Sequence, residues 1–271
     1  MYVGVDVGGT KVLAVSTDAD GVVVGSAQAS TRGEHGTAQE LEDAMSAAVA
    51  EVAAGRPVTG VGVSVAGLVD VTADLVRFCT HLPWRQDPVR TRLAERWQLP
   101  VLMENDANCA AVAEHAHGAA HGVGSFLLVT IGTGIGGAIV HDGLVLRGAG
   151  GMAGEFGHMR VQTDGRSCEC GLVGCWEQYC SGNVLPRLTR GERPDLVDGP
   201  AVTAAAQAGD PVARAAFEQV GEWLGVGVAG LVAAFDPAMV VVGGGVSAVG
   251  DLLLDPAREA MIRSTYAARH R

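Results

Sequence analysis

The chain has 271 residues, 48% of them hydrophobic and 4% aromatic, with a formal net charge of −11 and a sequence pI of ≈ 5.1. This length allows one large or two smaller α/β domains, and the acidic balance argues against nucleic acid and anionic membrane surfaces as partners. Asp236 and Pro237 interrupt the longest apolar stretch, and the opening MYVGVDVGG lacks the features of a signal peptide. We therefore expect a cytoplasmic protein whose six cysteines are free thiols or metal ligands.

Strand patterns open the chain. Residues 2–8 and 11–17 are β-branched runs joined by Gly8, Gly9 and Thr10, and a third run begins at residue 22. Helices and strands then alternate, with a helix predicted over 37–55, a strand over 58–67, a helix over 87–97, a strand over 99–104 and a helix over 107–118.

The second half of the chain repeats this plan. Residues 125–148 again read as strand, glycine turn, strand, DG turn and third strand, roughly 120 residues after the first copy. A long apolar helix over 211–235 and a buried strand that begins at residue 239 follow. We therefore predict an α/β protein with duplicated halves facing each other across a cleft, a smaller domain at 1–118 and a larger one at 119–271.

Three glycine turns follow predicted strands: DVGGTK at 6–11, GTGIGG at 132–137 and GGG at 243–245. Glycine lets backbone N–H groups approach and surround an anion without interference from a Cβ. None of the turns is a P-loop or a dinucleotide fingerprint, and a single glycine turn can be a structural corner. Together, with Lys11 as the only lysine of the chain, they predict phosphate binding.

The segment ENDAN at 104–108 lies where a buried strand gives way to a helix. An Asp at the carboxyl end of a strand projects into the crevice where α/β folds bind ligands. Asp106 therefore suits a general base that takes a proton from an alcohol during phosphoryl transfer, with Asn105 hydrogen-bonding a neighbouring hydroxyl. The alternative is a helix N-cap, which is a common position for Asn and Asp.

Three cysteines lie within eight residues, and a histidine precedes them by ten. Cys168, Cys170 and Cys175 with His158 form the ligand set of a closed, structural zinc site. On a helical turn Glu155 would share a face with His158, and Glu177 would be held from the other side. The cluster thus predicts two carboxylates and an imidazole directed at a polyhydroxylated ligand. The alternative, a nucleic-acid-binding zinc knuckle, fits the acidic surroundings poorly. The remaining cysteines, Cys79, Cys109 and Cys180, are predicted to be buried outside the site.

The motifs DVGGTK, ENDANCAA, IGTGIGG, GEFGH, CECGLVGCWEQYCSG and VVVGGG occur in the order found in the ROK family of sugar kinases and sugar-responsive repressors. With its HLPW and WEQYCSGN stretches, the chain most resembles the bacterial glucokinases of that family. The resemblance covers nearly the whole chain. It implies an actin/hexokinase-like fold of two lobes, each ribonuclease-H-like, with an inserted zinc loop and with ATP and Mg²⁺ in the cleft.

The resemblance also implies roles for individual residues. Asp106 would be the catalytic base. The sugar would contact Gly67, Asn105, Asp106, Glu155, His158 and Glu177. Zinc would bind His158, Cys168, Cys170 and Cys175. The ATP site would comprise Asp6, Gly8, Gly9, Thr10, Lys11, Gly132, Thr133, Gly134 and Gly136 around the phosphates and Gly243, Gly244 and Gly245 around the adenosine.

Two departures from the family pattern stand out. His81 occupies the position of the Asn in the usual N-L-P-W motif, which would alter a contact near the sugar. The family also usually continues beyond the equivalent of Arg271 into a final strand and helix, so the second lobe is expected to be shorter than usual.

Several functions fit this resemblance. The first is ATP-dependent phosphorylation of a hexose, glucose to glucose 6-phosphate, with N-acetylmannosamine, N-acetylglucosamine or fructose as alternative substrates and polyphosphate as an alternative donor. The second is a sugar-sensing repressor. Two observations argue against it: the first strand begins at residue 2, and the chain retains the acid that a kinase needs. The third is a non-catalytic sugar-binding protein. In each case we expect a small-molecule sugar ligand and a homodimer or homotetramer.

Overall fold

The computed structural model describes residues 1–270, which form a mixed α/β structure. Contacts divide the chain into two compact units. Unit 1 comprises Met1–Val112 and Arg147–Ala153, and unit 2 comprises Ala113–Leu146 and the chain from Gly154 onward. The chain crosses between the units after residues 112, 146 and 153, whereas the sequence pattern predicts one boundary near residue 118. Within residues 1–270, no helix is long and apolar enough to cross a membrane.

The main sheet of unit 1 has five strands. They are β1 (Tyr2–Val7), β2 (Lys11–Thr17), β3 (Val23–Ser30), β4 (Gly60–Val65) and β8 (Val101–Asn105), in the spatial order β3-β2-β1-β4-β8. The first three strands are antiparallel, and β4 and β8 run parallel to β1. Alternate residues of β1 are buried, as expected for a strand that packs one face on a core.

The core of unit 1 forms where helix α1 (Ala38–Ala53) packs on this sheet. Thr37 and Glu40 make a reciprocal capping box at its first turn, which fixes where the helix begins. Helix α2 (Val89–Trp97) confirms the helix predicted at 87–97. The sequence pattern missed a small antiparallel sheet because its strands are too short to show a period of two. These strands are β5 (Leu68–Val69), β6 (Val76–Phe78) and β7 (Arg85–Asp87).

Unit 2 repeats the topology of unit 1, as predicted. Its strands are β9 (Phe126–Ile131), β10 (Ile135–His141), β11 (Leu144–Val145) and β12 (Met239–Gly243), in the order β11-β10-β9-β12. Three antiparallel strands are again followed by one that runs parallel to the first of them. The carboxyl ends of β9 and β12 therefore lie side by side.

The helices of unit 2 follow its first three strands. They are α4 (Leu185–Thr189), α5 (Gly199–Gln207), α6 (Pro211–Phe235) and α7 (Asp251–Ser264); helix α3 (Asp106–His117) begins in unit 1 and ends in unit 2. Helix α6 confirms the apolar helix predicted over 211–235. It packs closely on α7, since a Cβ at Gly225 would overlap the carbonyl oxygen of Ala257. Glycine at this position thus permits the close approach of the two helices.

Candidate functional site

Asp106 lies at the carboxyl end of β8, where α3 begins. Its Oδ1 accepts hydrogen bonds from the backbone N–H of Ala107 and from Nδ2 of Asn105, each at 2.9 Å. The other carboxylate oxygen, Oδ2, has no hydrogen-bond partner within residues 1–270. Asp106 is therefore held through one oxygen while the other remains available to a ligand.

The electrostatics of Asp106 suit a proton acceptor. Its side chain is accessible to solvent, yet desolvation by the surrounding protein raises the pKa of the carboxyl above its ordinary value. The hydrogen bond from Ala107 opposes this effect, and the negative charge of Asp6 adds to it. Asp6 itself accepts a hydrogen bond from the Ser64 hydroxyl at 2.8 Å. A carboxylate with a raised pKa is a stronger base toward an alcohol proton.

Asn105, rather than Asp106, is the N-cap of helix α3. Its Oδ1 accepts a hydrogen bond from the backbone N–H of Asn108 at 3.1 Å, the usual N-cap contact. Both Nδ2 protons are engaged as well, one by Asp106 and one by the carbonyl of Gly67 at 3.2 Å. Asn105 thus retains only acceptor capacity on Oδ1 for a sugar hydroxyl.

Gly67 approaches its neighbours so closely that no side chain fits there. A Cβ would overlap the sulfur of Cys79 and lie 2.8 Å from the carbonyl oxygen of Phe78. Burial raises the pKa of the Cys79 thiol to about 12, so this sulfur packs as an apolar group. Cys79 and Cys180 are buried as predicted, whereas Cys109 is half-buried. Cys79 also differs from the prediction in lying against a proposed site residue.

The glycine turn of unit 1 is supported by residues that the sequence pattern missed. The N–H of Gly8 closes the turn on the carbonyl of Lys11 at 3.0 Å. The Thr31 hydroxyl donates to the carbonyl of Gly9 at 2.8 Å, and the Thr31 N–H donates to that of Thr10 at 3.0 Å. These bonds engage the carbonyl oxygens of Gly9 and Thr10, whereas a phosphate would need the N–H donors of the turn.

Gly9 is approached by two further residues. A Cβ at Gly9 would lie 2.8 Å from Cβ of His81, and a Cβ at Gly33 would lie 2.7 Å from the carbonyl oxygen of Gly9. Gly33 has φ of 56°, a conformation that favours glycine. The glycines of the TRGEHG segment were the available sequence signal for this contact. His81, expected near the sugar, therefore lies over the glycine turn.

The two glycine turns of unit 2 lie next to each other. Gly244, with φ of 86°, packs on the end of β9, since a Cβ there would lie 2.5 Å from the carbonyl oxygen of Ile131. Ile131 directly precedes the GTGIGG turn. The N–H of Gly182 donates to the carbonyl of Gly132 at 2.7 Å and adds a third glycine segment. The structure thus brings together the turns predicted to meet the phosphates and the adenosine.

The four predicted metal ligands of unit 2 form one cluster. One potential ligand atom from each of His158, Cys168, Cys170 and Cys175 lies within 4.8 Å of all the others. The Cys168 Sγ to His158 Nδ1 distance is 3.8 Å, and the Cys170 Sγ to Cys175 Sγ distance is 3.6 Å. Bond lengths of a tetrahedral zinc site imply separations of about 3.6–3.8 Å. The donor set and its spacing therefore fit a zinc ion, with Nδ1 of His158 as the nitrogen ligand.

Protonation distinguishes the thiols of this cluster. Burial, together with hydrogen bonds among the thiols, raises the pKa of Cys175 to about 12. Burial also opposes ionisation of Cys170, but the Leu172 N–H and the neighbouring sulfurs more than offset it and lower the pKa of Cys170. A bound divalent metal would ionise all three thiols, so its binding would release protons.

Glu155 and His158 share a single 3₁₀ turn, which the sequence pattern predicts as a helical turn. Phe156–His158 forms the turn, and the N–H of His158 donates to the carbonyl of Glu155 at 3.1 Å. Side chains three residues apart lie one above the other in this geometry. Gly154 and Gly157 of this segment pack against β10, since a Cβ at Gly154 would lie 2.5 Å from the carbonyl oxygen of Gly137 and one at Gly157 would lie 2.6 Å from that of Ile135. Both side chains are exposed.

Glu177 makes a backbone contact that its sequence context did not indicate. It lies on the 3₁₀ turn Trp176–Gln178, and its Oε2 accepts a hydrogen bond from the backbone N–H of Ile135 at 2.9 Å. A Cβ at Gly134 would overlap the same carboxylate. Within unit 2, a residue predicted to bind the sugar thus contacts a turn predicted to bind phosphate.

The predicted site residues divide between the two units. Unit 1 holds Asp6, Gly8, Gly9, Thr10, Lys11, Gly67, Asn105 and Asp106, and unit 2 holds the glycine turns at 132–136 and 243–245 with Glu155, His158, Glu177 and the cysteine cluster. Each unit therefore presents a glycine turn and at least one carboxylate with a free oxygen or an exposed side chain.

Known proteins resemble this chain in sequence and in fold. The sequence profile of the ROK family matches residues 2–270. The chain is 38% identical over 280 residues to a glucokinase of Streptomyces coelicolor, an alignment that covers 97% of this chain and 87% of that protein. Both the predicted family resemblance and the predicted fold class are thereby supported, and solved structures give the same result.

The crystal structure of a ROK family glucokinase from Streptomyces griseus, in complex with glucose and AMPPNP, is similar with a TM-score of 0.89 and 39% identity over 100% of this chain and 91% of that one. A ROK hexokinase from Thermus thermophilus is similar with a TM-score of 0.79 and 35% identity over 98% and 90% of the two chains. These similarities confirm the predicted actin/hexokinase-like fold.

Proposed function

The chain belongs to the ROK family and is an ATP-dependent sugar kinase, and from that premise we propose that it phosphorylates a hexose, with glucose as the substrate and glucose 6-phosphate as the product. The similarity to glucokinases supports glucose over N-acetylhexosamines and fructose. The proposal rests on Asp106, whose carboxylate has a fixed position, a free oxygen and a raised pKa.

In the proposed reaction Asp106 acts as the general base. Its free Oδ2 accepts the proton of the 6-hydroxyl as the oxygen of that hydroxyl attacks the terminal phosphorus of ATP. The bond from that phosphorus to the leaving oxygen of ADP breaks, and ADP departs with the electron pair. Phosphoryl transfer passes through a loose transition state, so the protein contributes mainly positioning and charge stabilisation, with a late proton acceptor.

We assign the sugar hydroxyls to the polar side chains that the family resemblance implies as sugar contacts. In unit 1 these are Asp106 and the Oδ1 atom of Asn105, beside the backbone at Gly67. In unit 2 they are Glu155, His158 and Glu177. Zinc on Nδ1 of His158 would leave Nε2 for the sugar and fix the ring, so the proposed metal organises the sugar site without taking part in the reaction.

The ATP phosphates are assigned to the two glycine turns that begin at Gly8 and Gly132, and the adenosine to the turn at Gly243–Gly245. Asp6 has a carboxylate oxygen free of hydrogen bonds within residues 1–270, and it is our candidate for holding Mg²⁺. The ion, when bound, neutralises charge on the transferred phosphoryl group. Lys11 adds a compact positive charge at the first turn.

Turnover measurements test the proposal directly. ADP formation is followed with Mg²⁺ and ATP against glucose, N-acetylglucosamine, N-acetylmannosamine and fructose, with Asp106→Asn as the inactive control. Polyphosphate replaces ATP in a parallel series. The highest kcat/KM is expected for glucose with ATP. A higher value for another sugar would reassign the substrate, and glucose binding without turnover would favour a sugar sensor over a kinase.

A further inference from the structure

Glu177 is predicted to bind the sugar, and its carboxylate also contacts the GTGIGG turn, which is predicted to bind phosphate. Only Gly132, Thr133 and Gly134 separate β9 from β10, and the N–H of Gly132 closes the turn on the carbonyl of Gly134 at 2.9 Å. The Glu177 carboxylate accepts the N–H of Ile135, the residue that follows. The turn is thus held at its end by a side chain from 42 residues away.

The remaining donors of the turn are free for an anion. The backbone N–H groups of Thr133 and Gly134 have no hydrogen-bond acceptor within residues 1–270. Successive free N–H groups in a tight turn form a concavity that binds phosphate oxygens. The bond from Ile135 to Glu177 therefore fixes the conformation in which the two neighbouring N–H groups are presented.

Glu177 is itself anchored in the interior of unit 2. Trp176, which precedes it, is fully buried, and its Nε1 donates to the carbonyl of Trp223 on helix α6 at 2.7 Å. The Trp176 ring occupies the space that a Cβ at Gly227 would need. Cys175, the next residue toward the N-terminus, belongs to the thiol cluster. Glu177 therefore lies next to a buried, hydrogen-bonded side chain that fixes its place in unit 2.

We propose that Glu177 couples the binding of the sugar to the binding of the phosphoryl donor, an inference that rests on the proposed kinase function. Oε2 holds the GTGIGG turn, while Oε1, which has no hydrogen-bond partner within residues 1–270, binds a sugar hydroxyl. A hydroxyl bound at Oε1 restricts the carboxylate to the orientation that holds the turn. The sugar thereby raises the affinity for the donor, and by linkage the donor raises the affinity for the sugar by the same factor.

Calorimetric titration of the full chain with Mg²⁺–AMPPNP, with and without saturating glucose, tests this coupling. For the wild type, glucose is expected to lower the nucleotide Kd about tenfold, within the usual range of coupling between sites. Glu177→Ala is expected to weaken nucleotide binding even without glucose and to remove the effect of glucose. Glu177→Gln keeps an acceptor oxygen for Ile135, so nucleotide affinity without glucose should return toward the wild-type value.

Gly134→Ala probes the same contact from the other side. The added methyl group would overlap only the end of the flexible Glu177 side chain, and φ at this position is not in the left-handed region, so the variant is expected to fold. It should displace the carboxylate and reproduce the nucleotide defect of Glu177→Ala, and the double variant should show no further loss. Glu192→Ala, at an exposed glutamate of the same unit, should keep the wild-type coupling.

The outcomes separate this proposal from the function on which it rests. If the wild type turns over glucose but glucose leaves the nucleotide Kd unchanged, the coupling is wrong and the kinase function stands. If Glu177→Ala binds nucleotide normally in the absence of glucose, Glu177 is a sugar ligand alone and the proposal is overturned. A wild type that binds neither ligand would overturn the kinase function and this inference together.

Discussion

The Nε atom of Arg147 donates a hydrogen bond to Oε2 of Glu104 at 2.5 Å, and this ion pair fastens the segment Arg147–Ala153 to strand β8. The other carboxylate oxygen of Glu104 accepts bonds from the backbone N–H of Asn105 at 2.9 Å and from Nδ2 of Asn108 at 3.1 Å. Asn108 is buried and donates its own N–H to Asn105. One carboxylate thus connects Arg147 to the residues on either side of Asp106.

Arg147→Met should therefore lower kcat clearly while leaving the stability of the fold nearly unchanged. The substitution removes the cation and frees Glu104 to reorient the Asn105–Asp106 segment, with an expected loss of about tenfold in kcat. The melting temperature should change little, because the pair is partly exposed. Arg147→Lys should recover part of the activity. Arg32→Met, which removes an exposed ion pair of the same unit, is the control, and an equal kcat in both Met variants would contradict the positioning role.

Asp106→Asn should lower kcat by about 10²- to 10⁴-fold while leaving sugar binding intact, as expected for loss of a general base. It should also change the pH dependence of stability. Desolvation raises the folded-state pKa of Asp106 above the ordinary value of 3.8, so the folded chain binds this proton more tightly than the unfolded chain. Wild-type stability therefore declines as pH rises from the unfolded to the folded pKa.

The Asn variant lacks this titration, so it should gain stability relative to wild type over that pH window. Urea denaturation of both proteins from about pH 3 to pH 7 measures the difference. A variant that instead loses stability relative to wild type as pH rises would contradict the raised pKa, and retained turnover would contradict the assigned base.

Cys170→Ser should release the proposed zinc and weaken sugar binding about 10- to 100-fold, the usual effect of disturbing a metal site and the groups that it orients. Metal content per chain and the glucose KM are the two measurements. Cys180→Ala is the control, since this buried thiol lies outside the cluster and should retain the metal. Loss of metal with an unchanged glucose KM would break the proposed connection between zinc and the orientation of His158.

Gly225→Ala should lower the free energy of unfolding by about 1–3 kcal/mol, because the added methyl group would overlap the backbone of α7 at Ala257 and force the helices apart. Gly230→Ala is a matched control in the same helix. Apart from the neighbouring backbone of its own helix, nothing lies within 4 Å of a Cβ at Gly230, so the higher helix propensity of alanine should stabilise this variant by about 0.5–1 kcal/mol. Urea denaturation curves that show the same sign for both variants would contradict this account of the α6–α7 contact.

We expect the His81 imidazole to donate a hydrogen bond to the ATP phosphates, so His81→Ala should raise the KM for ATP about three- to tenfold, the loss expected for one hydrogen bond, and leave the glucose KM unchanged. The reason is that His81 lies over Gly9 in the proposed phosphate turn. His35→Ala removes an exposed histidine nearby in the chain and should alter neither constant. A larger effect on the glucose KM would restore the sequence-based expectation that residue 81 acts near the sugar.

Features that depend on short-range order were predictable from the sequence. The strand pattern of β1 to β3 and its repeat in β9 to β11 follow from β-branched and apolar runs bounded by glycine turns. Burial alternates along β1 and β2, whereas β9 is buried along nearly its whole length. The long helix α6 follows from its apolar composition and length. The ligands of the cysteine cluster lie within 18 residues of one another, so their spacing alone indicated a common site. Strands β5, β6 and β7 were missed because each has only two or three residues and no glycine-turn repeat marks it.

Contacts between distant segments required the tertiary structure. The bond between Ile135 and Glu177 spans 42 residues, and the ion pair between Arg147 and Glu104 spans 43. Nothing in the local pattern indicates that a carboxylate will hold a backbone turn instead of pointing to solvent. Which partner it meets depends on how β9, β10 and the buried Trp176 pack.

The sequence by itself therefore determined which residue types are present at the ends of the strands: glycines that allow an anion to approach, an aspartate and a clustered set of metal ligands. Their chemistry is local, because it depends on side-chain type and on spacing over a few residues. Only the tertiary structure decided that Asp106 keeps one oxygen free, that His81 covers Gly9 and that Glu177 holds the second glycine turn. These relationships depend on packing between segments that are distant in the chain, and packing follows from the shape and burial of the whole unit.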